Sequence, residues 1–157
     1  REKNKENILV IYGDCIYSDD FIIEIIEIAD NLSQITIPVD LDWRIKWSKR
    51  YENIFDDAET LEYNELDNKL ISIGKKTYLD NQYMAQFMGT YILPNFLIKN
   101  FLDSYNSLSF LDQNNISTTD FFDKSIGKND YFVMPNKYIW TEVDTLEDLA
   151  YAKSIFF

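Results

Sequence analysis

The sequence predicts an α/β domain built around a mixed sheet. The run Ile8-Leu9-Val10-Ile11-Tyr12 is continuously apolar and rich in β-branched residues, the composition of a strand buried on both faces. Strand-like and helix-like segments alternate through the first part of the chain, while two strand-like runs flank a Pro-Asn turn near its end and suggest a late hairpin. The 157 residues, 46% of them apolar, are enough for one core. No repeat, linker or low-complexity tract divides them, so residues 1–157 read as a single domain.

The first strand ends at Gly13-Asp14. Ser18 then offers an N-cap, with Asp19 and Asp20 in a first helical turn where negative charge suits the dipole. Ile22, Ile25, Ile26 and Ala29 recur at helical spacing through to Leu32. Gln34 to Val39 reads as the next strand, closed by Pro38 and Asp40. The segment from Asp42 to Asp57 is polar and aromatic, carries Trp43, Trp47, Arg50 and Tyr51, and has no period. Glu59 to Tyr63 and Leu70 to Ile73 are short strands separated by the turn-forming Asp67-Asn68. Gln86 to Leu93 is another strand, interrupted at Gly89. Pro94 suits the first turn of a helix whose apolar positions are Leu97, Phe101 and Tyr105. A short helix is predicted over Thr119 to Ser125, and strands over Tyr131 to Met134 and Lys137 to Val143. Thr145-Leu146-Glu147-Asp148 is a capping box that opens a last helix.

Composition excludes several chemistries. The chain has no histidine, which removes Ser-His-Asp and Cys-His catalysis and His-bearing metal sites from what it can do by itself. Its one cysteine, Cys15, cannot form an internal disulfide and points to a reducing, cytoplasmic compartment. No signal peptide is visible, and no run approaches the roughly 18 apolar residues of a membrane span. A net charge of −12 disfavours nucleic acid and anionic membranes. It is compatible with a nucleotide, because a triphosphate arrives with magnesium and magnesium takes carboxylates. Four scattered glycines leave no glycine-rich phosphate loop, and no methionine precedes Arg1, so a missing N-terminal segment is expected.

Two strand-end carboxylates stand out. Asp14 follows the first strand at the place where open α/β sheets bind ligands, although a capping turn would look the same. Asp144, in Trp140-Thr141-Glu142-Val143-Asp144-Thr145, again ends a strand and opens a helix, and an N-cap role explains it equally well locally. Together the two allow a shared magnesium site, since magnesium is normally held by one or two carboxylates plus substrate phosphates. The run Asp40-Leu41-Asp42-Trp43, with Trp47 and Arg50 beyond it, has two readings. It is either an acidic aromatic pocket for a cationic group or a long connection anchored on the core by its tryptophans. Cys15 reads as a small apolar residue rather than a nucleophile, because no basic partner accompanies it.

The order of these segments resembles the sugar-phosphate nucleotidyltransferase superfamily, a GT-A-like, Rossmann-like fold. It is most similar to the branch of phosphocholine and aminoethylphosphonate cytidylyltransferases. The resemblance rests on Tyr12-Gly13-Asp14, Val39-Asp40 to Trp43, Arg50, Asp57-Ala58-Glu59, Ile73-Gly74-Lys75, Phe87-Met88-Gly89 and the closing run from Trp140 to Asp148. It implies Mg2+ held by Asp14 and Asp144, with Glu142 as a lesser ligand. It also implies an acceptor site near Asp40, Asp42, Trp43 and Arg50. The implied reaction moves a nucleoside monophosphate, CMP from CTP by preference, onto a small phosphorylated or phosphonylated acceptor with release of pyrophosphate. The family's N-terminal Gly-x-Gly-x-Arg loop is absent from these residues, so the fold is expected to be N-terminally truncated and the fragment inactive alone. Two other readings stay open: a GT-A glycosyltransferase fragment, for which Asp40-Leu41-Asp42 has the spacing, and a module that keeps the fold without the chemistry.

Overall fold

The structure, a computed structural model, describes residues 6–55, 58–74 and 85–157. Arg1, Asp57 and Lys75, named above, lie outside the described residues. In chain order the elements are β1 (Ile8–Ile11), β2 (Cys15–Tyr17), α1 (Asp19–Ala29), β3 (Ile35–Asp40), α2 (Trp43–Trp47), β4 (Thr60–Asn64), β5 (Lys69–Ile73), β6 (Ala85–Phe87), β7 (Thr90–Leu93), α3 (Ile98–Asn106) after a 3-10 turn at Asn95–Leu97, α4 (Phe110–Asn115), α5 (Thr118–Ser125), β8 (Tyr131–Pro135), β9 (Trp140–Glu142) and α6 (Leu146–Phe156).

β3 is the centre of a mixed sheet. All six of its residues are buried, as its Ile/Val-rich sequence requires. It runs parallel to β8 and antiparallel to β6 and β7. The pairings β3–β8, β8–β5, β5–β4, β4–β6 and β6–β3 form a ring, so these five strands shield one another's backbone edges. β6 and β7 are one strand broken at Met88-Gly89, and β1 extends the sheet beyond β7.

Two expectations change. β1 was predicted to be buried, yet Ile8 and Ile11 are 41% and 43% exposed. Among the described residues β1 pairs with β7 alone, antiparallel, so it is an edge strand. The late hairpin does not form either. Asn136 N donates to Val39 O at 2.7 Å, and its side chain brackets Tyr138, accepting from Tyr138 N at 3.0 Å and donating to Tyr138 O at 2.7 Å. This Asx-type turn sends the chain out of the sheet, and β9 pairs with β2 instead of β8.

The two faces bury separate cores. One packs Ile35, Ile37, Val39 and Val133 against Phe121 and Phe122 of α5. The other packs Phe21 and Ile25 of α1 against Trp43, Trp47 and Trp140. Trp43 is 0% exposed, with its ring edge-on to Trp47 and Phe55. The tryptophans therefore anchor the aperiodic connection to the core; truncating such a residue typically costs about 3–5 kcal/mol.

Candidate functional site

The β2–β9 ribbon assembles the site. Cys15 pairs with Glu142, Ile16 with Thr141 and Tyr17 with Trp140. Val143 N donates to Asp14 O at 2.9 Å, so Asp14 faces Val143 with Glu142 and Asp144 on either side. Residues more than 120 positions apart in sequence thus share one end of the fold, between β1 and the start of α6. Asp14 is exposed there.

Gly89 and Tyr17 hold the ribbon to the sheet. Tyr12 N donates to Gly89 O at 2.9 Å, and the Tyr17 hydroxyl donates to Met88 O. Burial first, then the nearby Glu142 and Asp14 carboxylates, pushes the Cys15 thiol up to about 12. It is uncharged at neutral pH, as its reading as a small apolar residue anticipated. Just before β4, Glu59 accepts from Thr119 Oγ1 at 3.2 Å, and Thr119 packs on Gly74. Two further runs of the sequence pattern therefore meet side by side.

Arg50 is the cationic centre. Its Nε donates to Asp148 Oδ1 at 2.7 Å, Nη1 to Glu142 Oε2 at 3.1 Å and Nη2 to Asp144 Oδ2 at 2.8 Å. The guanidinium lies 5.0 Å from the Trp47 and Tyr51 ring centres, and its side chain is 6% exposed. Burial alone would lower its pKa, but the bonds it donates to Asp148 and Glu142 raise it, so the charge is permanent. Asp148 is buried as well. Burial would raise its carboxyl, and hydrogen bonds from Arg50 and Thr145 outweigh that and hold it below the usual carboxylate range. The same side chain closes the α6 capping box by accepting from Thr145 N at 3.0 Å.

In the sequence Asp148 reads as a cap residue and as the end of the closing run from Trp140, with no partner named for it. The available signal was its inward position in the first turn, because a buried carboxylate needs a cation. Arg50, expected near an acceptor, is bonded to Glu142, Asp144 and Asp148.

Asp40 and Asp42 lie elsewhere. Asp40 is buried; it accepts from Trp140 Nε1 at 2.7 Å and Asp42 N at 2.8 Å, and is paired with Lys46. Asp42 is exposed at the start of α2. Both line an open cavity of about 360 Å³ with Lys46, Lys137, Tyr138 and Tyr151.

The donor set on the ribbon fits the magnesium implied by the resemblance. Asp14, Glu142 and Asp144 offer only carboxylate oxygens, the hard donors this ion takes. Among the described residues no group of three or more carboxylate or thiol side chains could hold a metal ion. Magnesium asks for less than that, since waters and phosphates complete its shell.

No family model matches the chain. The CTP:phosphoglutamine cytidylyltransferase of Campylobacter jejuni is 27% identical over 154 residues, 94% of this chain and 59% of that protein. A Bacillus anthracis protein described as a glucose-1-phosphate thymidylyltransferase, solved with a sucrose, superposes with a TM-score of 0.68 at 15% identity over 97% of this chain and 55% of its own. This chain has the nucleotidyltransferase fold. The inositol-1-phosphate CTP transferase of T. maritima shares it, with a TM-score of 0.61 at 19% identity over 94% of this chain and 53% of that one. The chain therefore spans a little over half the length of these proteins. Within the nucleotidyltransferase fold, the ribbon end that carries Asp14 and Asp144 lies beyond β1, outside a strand's carboxyl end, where α/β sheets bind ligands.

Proposed function

We propose that this chain forms part of a nucleotidyltransferase catalytic domain. The domain transfers a nucleoside monophosphate, CMP from CTP by preference, to a small phosphorylated acceptor and releases pyrophosphate. The observation that carries the reading is the register that sets Asp14 between Glu142 and Asp144. The relatives' names support the substrates, since they pair CTP with phosphoglutamine and with inositol-1-phosphate.

Asp14 and Asp144 would hold Mg2+, with Glu142 beside them. Magnesium held there would supply positive charge against the nucleotide phosphates and the charge that develops in transfer. An acceptor phosphate oxygen attacks the α-phosphorus, the bond to the β-phosphate breaks, and pyrophosphate leaves. The attacking oxygen is already anionic, so no histidine base is needed, and the chain's residues serve to orient the reactants and exclude competing water. The acceptor reading falls to the cavity beside Asp42. Of its lining, the exposed Asp42 carboxylate suits a cationic group on the acceptor; Asp40 is paired with Lys46, and the Tyr138 and Tyr151 rings lie under Lys137 and Lys49. Among the described residues no helix is long and apolar enough to cross a membrane. A cytoplasmic setting is proposed on the single cysteine.

The test is pyrophosphate release from each NTP with magnesium, using the native polypeptide that carries this chain. Release from CTP should require a phosphorylated acceptor. It should fall by more than about 100-fold in Asp14→Ala, beyond the usual loss for an outer-shell partner. Asp42→Ala should raise the acceptor KM more than the nucleotide KM. Undiminished release in Asp14→Ala, or none from any NTP, would overturn the transferase reading; equal rises in both KM values would remove Asp42 from the acceptor site.

A further inference from the structure

We infer that Arg50 is a positioning residue that fixes the orientation of Glu142 and Asp144 and makes no contact with substrate. The inference rests on the transferase reading for its catalytic consequence, but its geometry stands apart from it.

Three features of Arg50 argue for this role. All three nitrogens of its fork are engaged within the protein, with Nε, Nη1 and Nη2 donating to three different carboxylates. Its side chain is closed off between Trp47 and Tyr51, whereas the Asp144 side chain that it grips is 45% exposed. The exposed end of the pair faces solvent and the buried end faces the core. A phosphate contact would require the opposite arrangement.

Arg50 is also part of a continuous brace. Trp47, three residues earlier at the end of α2, is anchored in the tryptophan core. Asp148 takes two bonds from Arg50, through Nε at 2.7 Å and Nη2 at 3.2 Å. The same carboxylate accepts from Thr145 N at 3.0 Å and from Asp144 N at 3.3 Å. The backbone of Asp144 is thus held by Asp148, its side chain by Arg50, and both holds converge on one guanidinium. A planar guanidinium can serve three acceptors in fixed directions; a lysine ammonium carries the same charge without the fork.

That difference supplies the test. Arg50→Lys keeps the charge and removes the geometry, so simple Coulomb effects on a bound cation stay nearly constant. Arg50→Lys and Arg50→Ala would be made in the native polypeptide. Mn2+ affinity would be read by electron paramagnetic resonance with CTP present, alongside kcat and the two KM values. Circular dichroism would confirm folding of each variant.

Positioning predicts that Arg50→Lys fails to rescue. Mn2+ affinity and kcat should each fall by about 10–100-fold, the usual cost of an outer-shell partner, with the CTP KM nearly unchanged. Wild-type Mn2+ affinity and kcat in Arg50→Lys would overturn the inference, because charge alone would then suffice. A raised CTP KM with unchanged Mn2+ affinity would also overturn it, by placing Arg50 on the triphosphate. If the wild-type protein binds Mn2+ with CTP yet releases no pyrophosphate, the transferase reading fails while the Mn2+ affinities still decide the role of Arg50.

Discussion

At Gly89 the backbone and the site meet in a single residue. Its φ of 66° is left-handed, and a Cβ there would lie 2.7 Å from Cys15 Sγ and 3.1 Å from Tyr12 Cβ. Strain and overlap act together, so Gly89→Ala should destabilise by roughly 1–3 kcal/mol in urea unfolding. Removing the sulfur in Gly89→Ala/Cys15→Ala should recover part of that loss, since the two changes share one contact. Additive losses would show that backbone strain alone decides the site. The sequence displayed Gly89 as an interruption in a strand, and that much was legible. Its closeness to Cys15, 74 positions earlier, was not, because only the folded β1–β7 pairing brings them together. Arg50 shows the same limit. Its local sequence contains no acid at helical spacing that would name a partner, and all three partners come from the last 16 residues of the chain.

Elements were read well where the signal was local. Ser18 does cap α1, accepting from Phe21 N at 3.4 Å, and Asp19 and Asp20 occupy the first turn. Ser18→Ala should cost about 1 kcal/mol of stability, measured by chemical unfolding; no loss would mean that packing of Phe21 and Ile25 fixes the helix start unaided. The capping box at Thr145 and Asp148 also formed as its spacing requires. Short elements escaped. β2 has three residues and α2 five, too few to show a period, and each exists because a partner elsewhere completes it. β2 needs β9, and α2 needs the core that receives Trp43 and Trp47. The late hairpin failed for a related reason: two adjacent strand-like runs name no partner, and the Asn136 turn directed them to different sheets.

On the scale of the whole molecule, charge dominates the pH response. The net charge of −12 is relieved as pH falls, which opposes acid unfolding, so the contribution of Asp148 has to be read as a difference between variants. Its folded pKa is depressed below the unfolded value of about 3.9. The stability it adds is therefore present above about pH 4 and lost as pH falls through the folded pKa. Asp148→Asn should be less stable than wild type from pH 8 to about 5, and the gap should narrow below about pH 4. A gap that widened in acid would reverse the sign and refute the Arg50–Asp148 brace as its cause.

The fold class and the principal strands and helices were legible in the sequence, which also singled out Asp14 and Asp144 as candidates. Those properties depend on side-chain period, capping residues and strand-end position, all of which are written within a few neighbouring residues. That β1 lies at an edge, that Trp43 belongs to the core and that Arg50 grips Glu142, Asp144 and Asp148 is seen in the folded chain alone. Each of these depends on which distant segments pair across the β2–β9 ribbon and the β3 hub. Pairing is selected by burial of the whole chain at once, and no local window contains that choice.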